Sequence, residues 1–220
     1  MAPLVPVVTP EAVNSGGTSA STSLSSASFT PSAGELLVVK TANGTGGTPS
    51  VSGGGLTWTQ QITVTSVGEI LRIYTAVVGA SPSAMTVTVS YSSATRRGFV
   101  LERWPAGSSL DATPATASAT AQSTLNVSIT SEGTDSAITW VMADDNEIST
   151  AATYRSGAVQ EAVHAATGNF YARYAYQAAA APGVQSVGMT APTGLNAGLV
   201  ALEILPPVPA SRHRGFLLLL

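Results

Sequence analysis

The side chains best suited to proton transfer are few. Histidine is the commonest general base, and the chain has two: His164, near the end of an apolar stretch, and His213, between Arg212 and Arg214. Neither has a Ser or Asp at a spacing that suggests a triad, and the absence of cysteine removes thiolate nucleophiles, thiolate metal sites and disulfides together. Glu102 and Glu203 have the residue type of a glycosidase acid–base pair. Because they stand in two stretches that resemble each other, the repeat itself is the simpler explanation, and each is expected on a solvated strand face. Asp144, Asp145, Asn146 and Glu147 form the densest acidic run. They lack the regular spacing and the glycine of a calcium loop, and Asp and Asn open turns through their own side chains. The reading is no catalytic residue, no metal and no cofactor, hence not an enzyme.

Residues suited to contact are more plentiful. Tyr154, Tyr171, Tyr174 and Tyr176, with Phe170 and Arg173, make an aromatic patch of the kind that sugar-binding modules use for stacking. Alternation along a strand sends Phe170, Tyr174 and Tyr176 to one face, expected to be core. It sends Tyr171 and Arg173 to the other, where they suit a subunit contact because Tyr and Arg are enriched at interfaces. Asn43 and Asn126 open glycosylation sequons, a frequent accident in a Ser/Thr-rich chain. At the C-terminal end, Pro206, Pro207 and Pro209 stiffen the backbone, Arg212 and Arg214 are basic, and Phe216, Leu217, Leu218, Leu219 and Leu220 follow as an apolar run. Such a run invites a groove on a partner. Leu4, Val5, Val7 and Val8, between Pro3, Pro6 and Pro10, are the N-terminal counterpart; prolines confine any strand there to a sheet edge.

Composition narrows the classes further. Charged residues are 10 % of the 220, against roughly 25 % in ordinary soluble proteins, so the surface is neutral and hydroxyl-rich. A net charge of −3 with nine scattered basic residues offers no basic stripe for nucleic acid. The first residues lack the basic start and apolar run of a secretory leader, and no apolar run approaches the roughly twenty residues that span a bilayer. A soluble protein without membrane contact is expected.

The elements that must position these residues read as strands. Residues 35–41 (ELLVVKT) are nearly continuous in apolar character, as a strand buried on both faces would be. Residues 58–65, 69–78, 85–91 and 99–104 alternate or run apolar between turn signals, and residues 43–55 read as a glycine-rich loop. Residues 68–105 have an echo in residues 168–206, in which Tyr74 answers to Tyr174, Gly98 to Gly198, and Trp104 to Leu205. Residues 110–123 show no apolar period and read as a connection. The alanine-rich residues 177–181 are stopped by Pro182 and Gly183 within about a turn. The expectation is an all-β, jelly-roll-like β-sandwich over residues 21–205, built from pseudo-repeats at about 21–107 and 123–205. An extended arm over residues 1–20 precedes it and a Pro-rich, Leu-ended arm over residues 206–220 follows. Two small barrels are the other arrangement, disfavoured because a half of this size would bury a thin core.

The stretches SFTPSAGELLVV (residues 28–39), GLTWT (55–59), VVGASPSAMTVTVSYS (77–92) and GFVLERWPAG (98–107) resemble a family of β-rich structural proteins, decoration or minor tail proteins, of tailed bacteriophages and prophages. The likeness covers about residues 20–205 and marks strand and turn positions. It implies a virion component and carries over no catalytic residue. On that basis the expected role is a capsid decoration or cement protein on the outer surface of the phage particle. It would be a homo-oligomer such as a trimer, held by its arms to the major capsid protein or other virion proteins. The alternative is a tail or fibre component that contacts the host surface, with glycans taken by the tyrosines.

Overall fold

The computed structural model describes residues 4–6, 8–15, 22–44, 47–66, 68–93, 96–111, 113–122, 125–145, 151–155, 157–166, 170–179 and 181–208, with backbone alone at 8–15, 116–122, 164–166 and 195. Every regular element among them is a strand. The first half carries β1 (Val8–Ser15), β2 (Ser23–Ser25), β3 (Leu36–Gly44), β4 (Pro49–Ser52), β5 (Thr59–Thr65), β6 (Glu69–Val77), β7 (Thr88–Tyr91) and β8 (Arg97–Trp104). After the short β9 (Ser109–Leu110), the second half carries β10 (Ala115–Gln122), β11 (Asn126–Ser131), β12 (Ser136–Asp144), β13 (Thr153–Tyr154), β14 (Val159–Ala166), β15 (Phe170–Ala179), β16 (Gly183–Ala191) and β17 (Leu195–Leu205).

Both halves are wound alike. An inner sheet of order β1-β8-β3-β6-β5 and an outer sheet β2-β7-β4 recur as β10-β17-β12-β15-β14 and β11-β16-β13. Each half therefore makes three of the four strand pairs of a jelly-roll ribbon, first with eighth, second with seventh and third with sixth; the fifth strand joins the sixth instead of the fourth. The all-β sandwich expectation holds, but the halves do not interleave. Among the described residues no strand of one half pairs with a strand of the other, and only β9, from the connection, joins β17.

The two inner sheets pack face to face. Leu36, Val38, Leu71, Ile73, Val100 and Trp104 meet Val141, Phe170, Tyr174, Val200, Leu202 and Ile204 in the central core. Outer cores lie beneath each outer sheet, around Val87, Val89 and Phe99 in the first half and Trp140, Met142 and Leu199 in the second. The four layers answer the objection of a thin core. An inner sheet is covered on both faces, so β3 and β12 are buried at all nine positions, as strands of a fully covered sheet should be.

Several expectations change. Residues 43–55 are not all loop, since β3 runs to Gly44 and β4 lies within them. Residues 110–123 contain the edge strand β10, whose Ala/Ser/Thr sequence has no apolar alternation to reveal it. Residues 8–15, within the expected arm, are not free either: β1 pairs with β8 along an edge, and its register slips between Val8 and Glu11, around Pro10, which has no N–H to give the ladder. The echo is also off by one residue in places. Tyr74 belongs to the first half's outer core and Tyr174 to the central core, so they face opposite ways, and Trp104 shares the central core with Ile204, not Leu205. A one-residue slip in a strand exchanges its faces.

Candidate functional site

The central core is not wholly apolar. Lys40 on β3, Glu102 on β8 and Glu161 on β14 bring one ammonium and two carboxyls together with essentially no solvent exposure. Lys40 Nζ donates to Glu102 Oε1 at 2.7 Å, to the backbone oxygen of Ala175 at 3.1 Å, and to Glu161 Oε2. Glu102 also accepts from Trp104 Nε1 at 3.0 Å and from Thr139 Oγ1 at 2.6 Å. Lys40 and Glu102 come from the first half, Thr139, Glu161 and Ala175 from the second. Burial and the nearby charge of Glu102 hold the Glu161 carboxyl well above the usual range, against the pull of Lys40. For Lys40 the cost of burial is outweighed by the two carboxyls, and its ammonium is held on more tightly than usual.

A second charged layer closes one pole of the seam. Arg96 Nη2 donates to Asp145 Oδ1 at 3.2 Å, and Arg173 Nη1 donates to Asp144 Oδ2 at 3.1 Å. The Arg96 guanidinium lies over Phe170 and that of Arg173 over Tyr171, 5.7 and 4.4 Å from the ring centroids. Glu69, at the start of β6, is buried beside them with neither carboxyl oxygen hydrogen-bonded. Burial, then the charges of Asp145 and Asp144, push its carboxyl up to about 9. Among the described residues no group of acidic or histidine side chains is arranged to hold a metal ion.

The residues singled out from sequence scatter. Phe170 and Tyr174 are in the central core with Tyr176 packed against it, as alternation predicted. Arg173 is 1 % exposed and engaged by Asp144, so it is not available as an exposed subunit contact, and Tyr171 is half-buried against it. Leu4 is likewise used internally: it is buried in the central core, and its N–H donates to the Asp135 oxygen at 3.1 Å. Val5 is exposed. Val7, Arg212, His213, Arg214 and residues 216–220 lie outside the described residues, as do Asn146 and Glu147, while Val8 and His164 are described by backbone alone. Glu102 and Glu203 are both fully buried, not solvated, and they face different cores. Glu203 accepts from Ser131 Oγ, Ser136 Oγ and the N–H groups of Glu132 and Gly133, so it is a turn anchor. Asn43 is buried, its amide donating to the Gly44 and Gly47 oxygens.

A cleft of 710 Å3 runs between β6 and β9 and is lined by Leu36, Leu56, Gln61, Thr75, Val77 and Leu110 among others, all of them neutral. Without a titratable group it can bind but not transfer protons. Lys40 and Glu161, the groups that meet most closely, escaped the sequence reading. The available signal was a lysine inside ELLVVKT, a strand read as buried on both faces, and it is the only lysine in the chain. Nothing in sequence pairs it with a carboxyl in β14. Comparison with protein-family models, with curated proteins and with solved structures finds no match to this chain.

Proposed function

We propose that the chain is a virion structural protein of a tailed phage, most simply a capsid decoration protein that binds the outer shell by its C-terminal segment. The observation that carries this reading is the placement of the two chain ends. Leu4 is fastened at Asp135, just before β12. Pro207 packs over Gly107, 3.3 Å from where a β-carbon there would lie, and Leu205 lies against Gly133. The described chain thus enters and leaves at one pole, and the apolar residues 216–220 follow from it. Apolar area buried against a capsid groove contributes about 25 cal/mol per Å2, multiplied when symmetric copies engage together.

The remainder of the molecule suits a passive, load-bearing body. Its buried charges are spent on internal ties, within a half for Arg103 with Glu35 and Arg173 with Asp144 and between the halves for Lys40 with Glu161. The aromatic residues that a glycan platform would use are occupied by packing: Tyr174 is buried, Tyr176 meets Trp104, and Tyr154 meets Trp140. A chain lacking residues 209–220 should fold and stay soluble yet fail to join particles. Undiminished incorporation would overturn the role given to the tail, and a copy number of the order of a tail ring instead of the shell lattice would overturn the capsid assignment.

A further inference from the structure

We propose that Lys40 and Glu161 become joined by an intramolecular amide bond, formed with Glu102 as proton carrier, which staples the two halves of the molecule covalently. This rests on the seam and is independent of the role in a virion. The sole lysine of the chain is fully buried in contact with a carboxyl of the other half. A second buried carboxyl touches the same nitrogen at 2.7 Å and is itself fixed by Trp104 and Thr139. Lys40 sits in the continuous ladders of β3 with β6 and β8, and Glu161 sits where the register of β14 on β15 shifts between Gln160 and Ala162. The two backbones hold amine and acid in reach, the condition under which intramolecular reactions gain most.

Burial favours the neutral product of the step. One ammonium and two carboxylates in a dry seam leave a net negative charge, which burial penalises heavily, so one carboxyl retains a proton. Of the two glutamates it is Glu161 whose acid form burial and its neighbour favour, and the protonated acid is the better acyl donor. A proton passes from the Lys40 ammonium to Glu102. The Lys40 Nζ lone pair then attacks Glu161 Cδ, forming the C–N bond. The Cδ–O bond to the hydroxyl breaks, that hydroxyl departs as water with the proton delivered by Glu102, and the nitrogen sheds one proton back to Glu102. The balance is ammonium, carboxylate and acid to amide, one water and a Glu102 that ends protonated. Two buried charges are exchanged for a neutral amide.

The test uses the full chain, purified and then fully denatured. The intact mass should lie below the sequence mass by one water, and an endoproteinase that cuts only after lysine should leave the chain whole, because its single site is acylated. Digestion at other residues should yield a branched peptide containing Lys40 and Glu161. An unshifted mass, or cleavage between Lys40 and Thr41, overturns the proposal and leaves an ion triad. So does a lost water mapped to an aspartate elsewhere. Glu102→Gln, if it folds, should restore both the full mass and the cleavage; failure of that variant to fold leaves the wild-type measurement decisive.

Discussion

Trp104 and Tyr176 meet edge to face across the boundary between the halves, ring centroids 6.1 Å apart and planes at 86°. The indole is fully buried, and its Nε1 also donates to Glu102, so one side chain fills the central core and holds the carboxyl against Lys40. Trp104→Ala is expected to cost about 3–5 kcal/mol, as large truncations in a core do. Trp104→Phe should retain the ring pair and cost about 1–3 kcal/mol, the consequence of leaving a buried acceptor short of a donor. Denaturant unfolding reads both, and a Trp104→Phe variant as stable as the wild type would show that the hydrogen bond contributes nothing.

Glu69 should make stability fall as pH rises. Its carboxyl is held up to about 9 in the fold, against an ordinary 4.5. The folded state therefore binds the proton more tightly, and the stabilisation is complete below 4.5 and lost as pH climbs through about 9. The groups facing it are Asp144 and Asp145, which oppose its ionisation, and Arg96, which favours it; Arg173 is tied to Asp144. Glu69→Gln keeps the shape and removes the titration. Its melting temperature relative to wild type should rise steadily with pH over this window, and parallel curves would refute the assignment.

The fold was legible wherever burial leaves a pattern. The apolar run of β3 announced a strand covered on both faces, and the alternation of Met85, Val87, Val89 and Tyr91 put all four on one face, which in the structure is the face that fills the outer core. Legibility failed for β10, whose Ala, Ser and Thr residues suit an edge strand without marking its faces, and for the stacking of two complete units, because an inner sheet reads the same whether its second cover is an outer sheet of its own half or a neighbour. The repeat was visible, but its register was not: Tyr74 and Tyr174 match by type and differ by face. The seam was the least legible of all, since Lys40 and Glu161 are brought together only by the packing of one half on the other.

Gly188 in β16 is held at φ +121°, and a β-carbon there would stand 2.4 Å from the Leu125 carbonyl oxygen. The neighbour is backbone and cannot rotate away. Gly188→Ala is expected to cost at least about 1–3 kcal/mol, from the strained dihedral alone, and to loosen the pairing of β11 with β16. Gly55 also has positive φ, at +64°, but open space around it; Gly55→Asn, which tolerates that region, should stay within about 0.5 kcal/mol. Amide exchange at Val127 and Ile129 separates the cases, rising for the first variant and not for the second.

Glu203 ties the turn between β11 and β12 to β17. Its Oε1 accepts from Ser131 Oγ at 2.6 Å and Ser136 Oγ at 2.5 Å, and its Oε2 accepts from the Glu132 N–H at 3.0 Å. The three donors come from one turn, at the pole where Leu4 and Pro207 are fastened. Glu203→Ala leaves these buried donors without an acceptor, at about 1–3 kcal/mol for an unsatisfied group. Glu203→Gln keeps one acceptor oxygen and should recover part of that loss. Because Leu205 packs on Gly133 in the same turn, the alanine variant should also expose the chain beyond Leu205 to proteolysis sooner than the body. A global loss of protection with no preference for that segment would show that the anchor serves the sandwich as a whole and not the pole from which the tail departs.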